Sequence, residues 1–170
     1  MKSNLTELVF ILDRSGSMSG LEKDTIGGYN SFIEKQKTEP GEAILSTVLF
    51  DNRYELLNDR MDIKNIMPLT EKEYFVRGST ALLDAIGTSI NTIIRTHSQL
   101  TELERPEKVL IIIITDGMEN SSTEYTAEKI HSMIKNQKEQ YAWEFLFLGA
   151  NIDAIGTAKD LGISKEKAVQ

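Results

Sequence analysis

The residues of this 170-residue chain best suited to chemistry carry oxygen. Asp13, Ser15 and Ser17 alternate at i, i+2 and i+4 within Asp13-Arg14-Ser15-Gly16-Ser17-Met18-Ser19-Gly20. On a tight loop, that spacing turns three oxygen side chains toward one point. Two further segments have the same character, Arg77-Gly78-Ser79-Thr80 and Thr115-Asp116-Gly117-Met118-Glu119-Asn120. Carboxylates and hydroxyls set among glycines suit a hard cation such as Mg²⁺, Mn²⁺ or Ca²⁺, which needs neither Cys nor His. Two carboxylates neutralise a divalent ion, hydroxyls fill much of an octahedron, and one position stays open for an outside ligand.

Composition removes the competing chemistries. The chain has no cysteine, which excludes disulfides, thiolate zinc sites, iron–sulfur clusters and cysteine nucleophiles. The two histidines, His97 and His131, leave little room for a multi-histidine metal site or a Ser-His-Asp triad, and surface or capping roles are expected for them. A net charge of −7 argues against a nucleic-acid or anionic-membrane partner. Near the start only Leu8 to Leu12 is continuously apolar, so no signal peptide is read. The longest apolar run, Val109 to Ile114, falls far short of the ~20 residues that span a bilayer. The expected location is cytoplasmic. Several enzyme signatures are missing. There is no G-x-x-x-x-G-K-[ST] segment, and no G-x-G-x-x-G follows the first apolar run. In Gly16-Ser17-Met18-Ser19-Gly20, Met18 stands where a nucleophile elbow needs serine.

The elements that must position these groups follow from hydrophobic patterning. Leu8–Leu12, Ala43–Phe50, Val109–Ile114 and Trp143–Leu148 are short continuous apolar runs, the habit of strands buried on both faces in a parallel sheet. Arg53–Leu57 follows Phe50 after the turn-forming pair Asp51-Asn52 and reads as a hairpin partner on the sheet edge. Helical stripes run through Ile26, Tyr29, Ile33 and Gln36, then Leu82, Ile86, Ile90, Ile93 and Ile94, then Ala127, Ile130, Ile134 and Gln137. Ser121, Ser122 and Thr123 are cap candidates for the third helix, and a shorter fourth is expected from Ile152 to about Leu161. The stretch Asn58 to Gly78 is the least regular. This alternation predicts one α/β domain over residues 1–170: a doubly wound, mainly parallel sheet with one antiparallel edge strand and helices on both faces. In such sheets ligands bind outside the carboxyl ends of the strands, where strand order reverses. If the first strand and the Val109 strand are neighbours, all three oxygen-rich segments meet at one edge.

Asp13-x-Ser15-x-Ser17 after an apolar strand, Thr80 before a helix and Asp116-Gly117 after a central strand together resemble the metal-ion-dependent adhesion site (MIDAS) of the von Willebrand factor type A (vWA) family, over nearly the whole chain. The resemblance implies a Rossmann-like sheet with an antiparallel edge strand. It also implies that Ser15, Ser17 and Thr80 are hydroxyl ligands, with Asp13 and Asp116 binding directly or through water. The metal would be Mg²⁺, with Mn²⁺ or Ca²⁺ as alternatives, and an Asp or Glu carboxylate of a partner protein would supply the last ligand. Neutral hydroxyl ligands would leave the ion much of its Lewis acidity toward that carboxylate. The family sheet ends in a sixth strand, and only Ala168-Val169 is placed to begin one, so the last strand is either very short or missing. The reading is a non-enzymatic, metal-dependent protein-interaction module. The alternatives are a Mg²⁺-dependent hydrolase at the same site, with Glu119 as its only candidate base, and a scaffold whose metal is purely structural. Arg14 and Arg77 lie in the motif loops, where they would either repel a cation or draw in an acidic partner. Glu119, Asn120, Asn151 and Asp153 are rim candidates. Met18 and Met118 flank the motif, with core packing slightly favoured over an exposed contact surface.

Overall fold

The structure is a computed structural model that describes residues 1–116, 119–149, 152–163 and 168–169. Each expected strand is present, and most run longer than their apolar cores: β1 Lys2–Asp13, β2 Glu42–Phe50, β3 Tyr54–Asp62, β4 Pro106–Thr115 and β5 Glu144–Gly149. Ala168–Val169 forms a two-residue β6 parallel to β5. The helices are α1 Glu22–Lys37, α2 Leu82–Ser98, α3 Ala127–Tyr141 and α4 Ile152–Asp160.

The sheet order is β3-β2-β1-β4-β5-β6. All neighbours pair in parallel except β2 with β3, the antiparallel hairpin at the edge. Strand order reverses between β1 and β4, whose registers run to Leu12 opposite Ile114. The C-terminal ends of these two strands therefore deliver Asp13 and Thr115 side by side, at the switch point where a doubly wound sheet opens a crevice.

Alternation along β1 and β4 divides the core. Val9, Ile11, Val109, Ile111 and Ile113 pack with buried residues of α2, α3 and α4. Leu8, Phe10, Leu12, Ile112 and Ile114 pack on the other face with Tyr29 and Ile33 of α1 and with Ile63, Ile66, Leu69 and Tyr74. Burial on both faces explains why these strands read as unbroken apolar runs rather than alternating ones. Trp143, Phe145 and Phe147 are core residues, as their spacing suggested.

Two local expectations change. The cap of α3 is Thr126, whose hydroxyl accepts the Lys129 N–H. Ser121, Ser122 and Thr123 instead form a strap across the start of α2. And the irregular stretch before Gly78 is anchored rather than loose: after a short 3₁₀ turn at Ile63–Asn65, it buries Ile66, Leu69 and Tyr74 against the α1 face. Among the described residues, no helix is long and apolar enough to cross a membrane.

Candidate metal centre

Four of the five sequence-predicted residues form one hydrogen-bonded chain. Thr80 Oγ1 donates to Ser15 Oγ at 2.7 Å, and Ser15 Oγ lies 2.9 Å from Ser17 Oγ. The Ser15 N–H donates to Asp13 Oδ1 at 2.8 Å, and Thr115 Oγ1 donates to Asp13 Oδ2 at 2.7 Å. The fifth, Asp116, follows the end of β4, is nearly buried, and stands close enough for its charge to act on Asp13. Asp13, Ser15 and Thr80 are buried, whereas Ser17 is exposed, so the cluster has a closed floor and an open rim.

Burial pushes the Asp13 carboxyl above its usual range. Hydrogen bonds from Ser15 and Thr115 oppose the shift, and the Asp116 charge adds to it. Among the described residues no Lys, Arg or His forms an ion pair with Asp13. The arrangement is a buried anion supported only by neutral donors and beside a second carboxylate.

The donor set fits a small hard cation in its chemistry: two carboxylates and three hydroxyls, all oxygen, gathered at one sheet edge. Among the described residues no three His, Cys, Asp or Glu side chains cluster as a metal site. The hydroxyls must therefore make up what two carboxylates leave short.

The loops around the cluster hold one another by main-chain bonds. Gly16 N–H donates to Gly78 O at 3.0 Å, Arg77 N–H to Arg14 O at 2.9 Å, and Arg14 N–H to Phe50 O at 2.8 Å. Gly78 has φ +70°, and a Cβ there would collide with Asn52 Oδ1, so the approach of the Thr80 loop requires glycine.

Two positioning residues, Tyr74 and Asp51, are not among the sequence's site candidates, and a third, Asn120, is one of its rim candidates. Tyr74, buried and held protonated, donates its hydroxyl to Asp13 O. Asp51 reaches beyond its hairpin turn: its carbonyl accepts the Ala81 N–H, and its carboxylate binds Arg77 Nε at 2.8 Å. The Asn120 side chain accepts the Thr80 N–H, and its own N–H donates back to Thr80 O. Thr115 was quoted as part of a segment but not as a support. Its signal was available, since a residue one place before Asp116 on a strand paired with β1 must sit beside Asp13.

The rim candidates divide. Glu119 accepts the Leu83 N–H at 3.0 Å and bonds the Ser122 hydroxyl, so its carboxylate closes the N-terminus of α2. Asp84 returns the strap by accepting the N–H groups of Thr123, Glu124 and Tyr125. Gly117, Met118 and Asn151 lie outside the described residues, as does the side chain of Asp153. Met18 is buried in the core beside α1. His97 is neither a surface nor a capping residue: its Nε2 lies 2.7 Å from Glu7 Oε1, far from the motif loops along β1.

No family model matches the chain, and no curated protein does. Solved structures do. Manganese-loaded TRAP from Plasmodium vivax superposes with a TM-score of 0.71 at 19% identity, over 96% of this chain and 65% of that one. Three N-terminal domains of the pilus tip protein Mfa5 from Porphyromonas gingivalis give 0.72 at 11% identity, over 96% and 46%. Proximal thread matrix protein 1 from the mussel byssus, with a zinc-occupied MIDAS motif, gives 0.62 at 16% identity, over 96% and 40%. The chain thus spans between two-fifths and two-thirds of the length of these proteins. At such identities the likeness establishes the fold and nothing finer: the chain has the Rossmann-like sheet of vWA-type proteins.

Proposed function

We propose that this chain is a divalent-metal-dependent protein-interaction module. Asp13, Ser15, Ser17, Thr80 and Asp116 hold the ion, and an Asp or Glu carboxylate of a partner protein completes its shell. The observation that carries this reading is Asp13. A carboxylate at the floor of a crevice, supported by hydroxyls and an amide and facing another carboxylate, lacks a positive charge. A bound cation supplies that charge and reverses the upward pull on the Asp13 carboxyl. Mg²⁺ is the expected ion because an all-oxygen donor set suits a hard divalent cation, with Mn²⁺ and Ca²⁺ as alternatives.

The same reading places the partner. The ion bridges two negative surfaces that would otherwise repel, since the chain carries a net charge of −7. A hydrolase at this site would need a base, and Glu119 is engaged with the α2 N-terminus and Ser122. The fold likeness to TRAP, solved with manganese, and to proximal thread matrix protein 1, solved with zinc in its MIDAS motif, supports a divalent metal at this edge.

Calorimetric titration of Mg²⁺ and Mn²⁺ into wild type and Asp13→Ala tests the metal. Saturable binding is expected in the first and none in the second. Pull-down of host proteins with and without EDTA tests the bridge, and partner capture that persists in EDTA, or that survives Asp116→Ala, rejects it.

A further inference from the structure

The segment Tyr74–Gly78 runs beside the metal loop and displays an aromatic ring flanked by two arginines. Tyr74 is buried and bonded to Asp13 O, and Val76 is partly buried against the same core. Phe75 between them faces outward and is 43% exposed. The guanidinium carbons of Arg14 and Arg77 each lie 5.5 Å from its ring centroid. Arg77 is itself 43% exposed and is steadied by Asp51. Arg14 is almost fully buried, yet poorly paired: Glu55 is 3.5 Å away, Glu73 O is 3.4 Å away, and its Nε has no hydrogen-bond partner among the described residues.

This is an unusual surface for a solvent-facing turn. An exposed aromatic ring on a segment tied down by the Arg77–Arg14 and Gly16–Gly78 main-chain bonds loses little entropy when a partner covers it. A buried, underpaired guanidinium beneath it is weakly screened and favours negative charge above. Phe75 stands five positions before Thr80, so its Cα lies within about 17 Å of the Thr80 Cα by chain reach.

Resting on the metal-bridged reading above, we infer that Phe75 and Arg77 select the partner. The favoured partner is an acidic peptide segment in which an apolar side chain and a second carboxylate lie within five residues of the metal-bound Asp or Glu. The apolar group packs on Phe75, and the second carboxylate pairs with Arg77. Arg14 acts from below, stacking on the ring and supplying positive potential.

An array of 11-residue peptides with a fixed central Asp and varied flanks, probed with Mn²⁺-loaded protein, tests this. Peptides carrying Leu, Met or Phe plus a second acid are expected to bind at least tenfold better than Gly-flanked ones. Phe75→Ala should erase the apolar preference and Arg77→Gln the acidic one, each with Mn²⁺ still bound. Arg77→Gln lowers the urea midpoint because it strands the buried Asp51 carboxylate, and Arg77→Lys, which keeps the charge, should retain the acidic preference. Phe75→Leu, which keeps an apolar contact without the cation–π stacking, should retain most of the preference even if Phe75→Ala folds poorly. Mn²⁺-dependent binding with the same peptide ranking in wild type and these variants overturns the selector and leaves the metal bridge standing. Binding that ignores EDTA yet needs Phe75 and Arg77 supports the surface and overturns the bridge. A failure of every Asp peptide to bind overturns both.

Discussion

Strand β1 buries two carboxylates, Glu7 in its middle and Asp13 at its end, and both are inaccessible to solvent. Their surroundings are opposite. Glu7 accepts from Arg60 Nε at 3.0 Å and Nη2 at 3.3 Å, and lies 2.7 Å from His97 Nε2. Burial pulls the Glu7 carboxyl upward, but His97 and Arg60 outweigh it and hold the group below its usual range. Among the described residues Asp13 has only hydroxyls and an amide as hydrogen-bond donors, and burial leaves it above its usual range. The groups that answer Glu7 are built into the chain: the Arg60 guanidinium from edge strand β3 and the His97 ring from the last turn of α2. In the proposed function, the cation that answers Asp13 comes from outside. A buried carboxylate is a structural fastener where the fold provides its counter-charge, and a candidate binding site where the fold withholds it.

That contrast can be broken from either side. The largest effect is expected at Glu7. Glu7→Gln strands the part-buried Arg60 and should cost about 3–5 kcal/mol in urea unfolding, with or without Mg²⁺. A cost under ~1 kcal/mol would show the Glu7 cluster to be no fastener. The loss should also depend on pH. The native Glu7 carboxyl is lowered, so the unfolded chain binds the proton more readily. Its contribution is complete above the ordinary glutamate value and is lost as pH falls through the native value. Unfolding curves of wild type and Glu7→Gln should therefore converge only in that acid window.

Metal should act on the other carboxylate alone. Mg²⁺ at about 100 times its dissociation constant should stabilise wild type by ~2.7 kcal/mol. The same addition should leave Asp13→Asn unmoved in a thermal melt and should still raise the melting point of Glu7→Gln. A smaller effect sharpens the comparison by its sign. In EDTA, Asp13→Asn removes an unanswered buried charge and should stabilise the fold by about 1 kcal/mol, whereas Glu7→Gln destabilises it. Destabilisation by Asp13→Asn in EDTA would mean that the Ser15 and Thr115 donors already satisfy the anion. Smallest of all, Tyr74→Phe deletes one hydroxyl bond to Asp13 O and should cost about 0.5–1.5 kcal/mol. Chemical denaturation would read that loss, and calorimetry should show a weaker Mg²⁺ affinity beside it.

Much of the molecule was legible in its residues because local rules acted alone. Val109–Ile114 had to be a central strand, since six branched or aliphatic residues in a row need cover on both faces. The Asp51-Asn52 turn fixed the antiparallel edge, and the stripe through Leu82, Ile86, Ile90 and Ile93 fixed α2. The alternation at Asp13, Ser15 and Ser17 pointed to an oxygen cluster, and its hydroxyls do converge. Other features had no local signal. The cap of α3 moved to Thr126 because Ser121 and Ser122 were taken up beside Thr80 and Asp84, both about 40 positions away in the chain, and by the nearby Glu119.

The sequence by itself determined the donor chemistry: with no cysteine and two histidines, any metal centre here had to be built from oxygen. It also determined the order of strands and helices, because hydrophobic period is a property of neighbouring residues. Only the tertiary structure decided which buried carboxylate would be answered. Glu7 and Asp13 lie six residues apart on one strand and look alike in sequence. Arg60 arrives 53 positions later to neutralise the first and His97 90 positions later to hydrogen-bond it, while Thr115, 102 positions from Asp13, brings the second a neutral hydroxyl. Charge balance inside a protein is set by what packing brings within a few ångströms, and no local pattern encodes that distance.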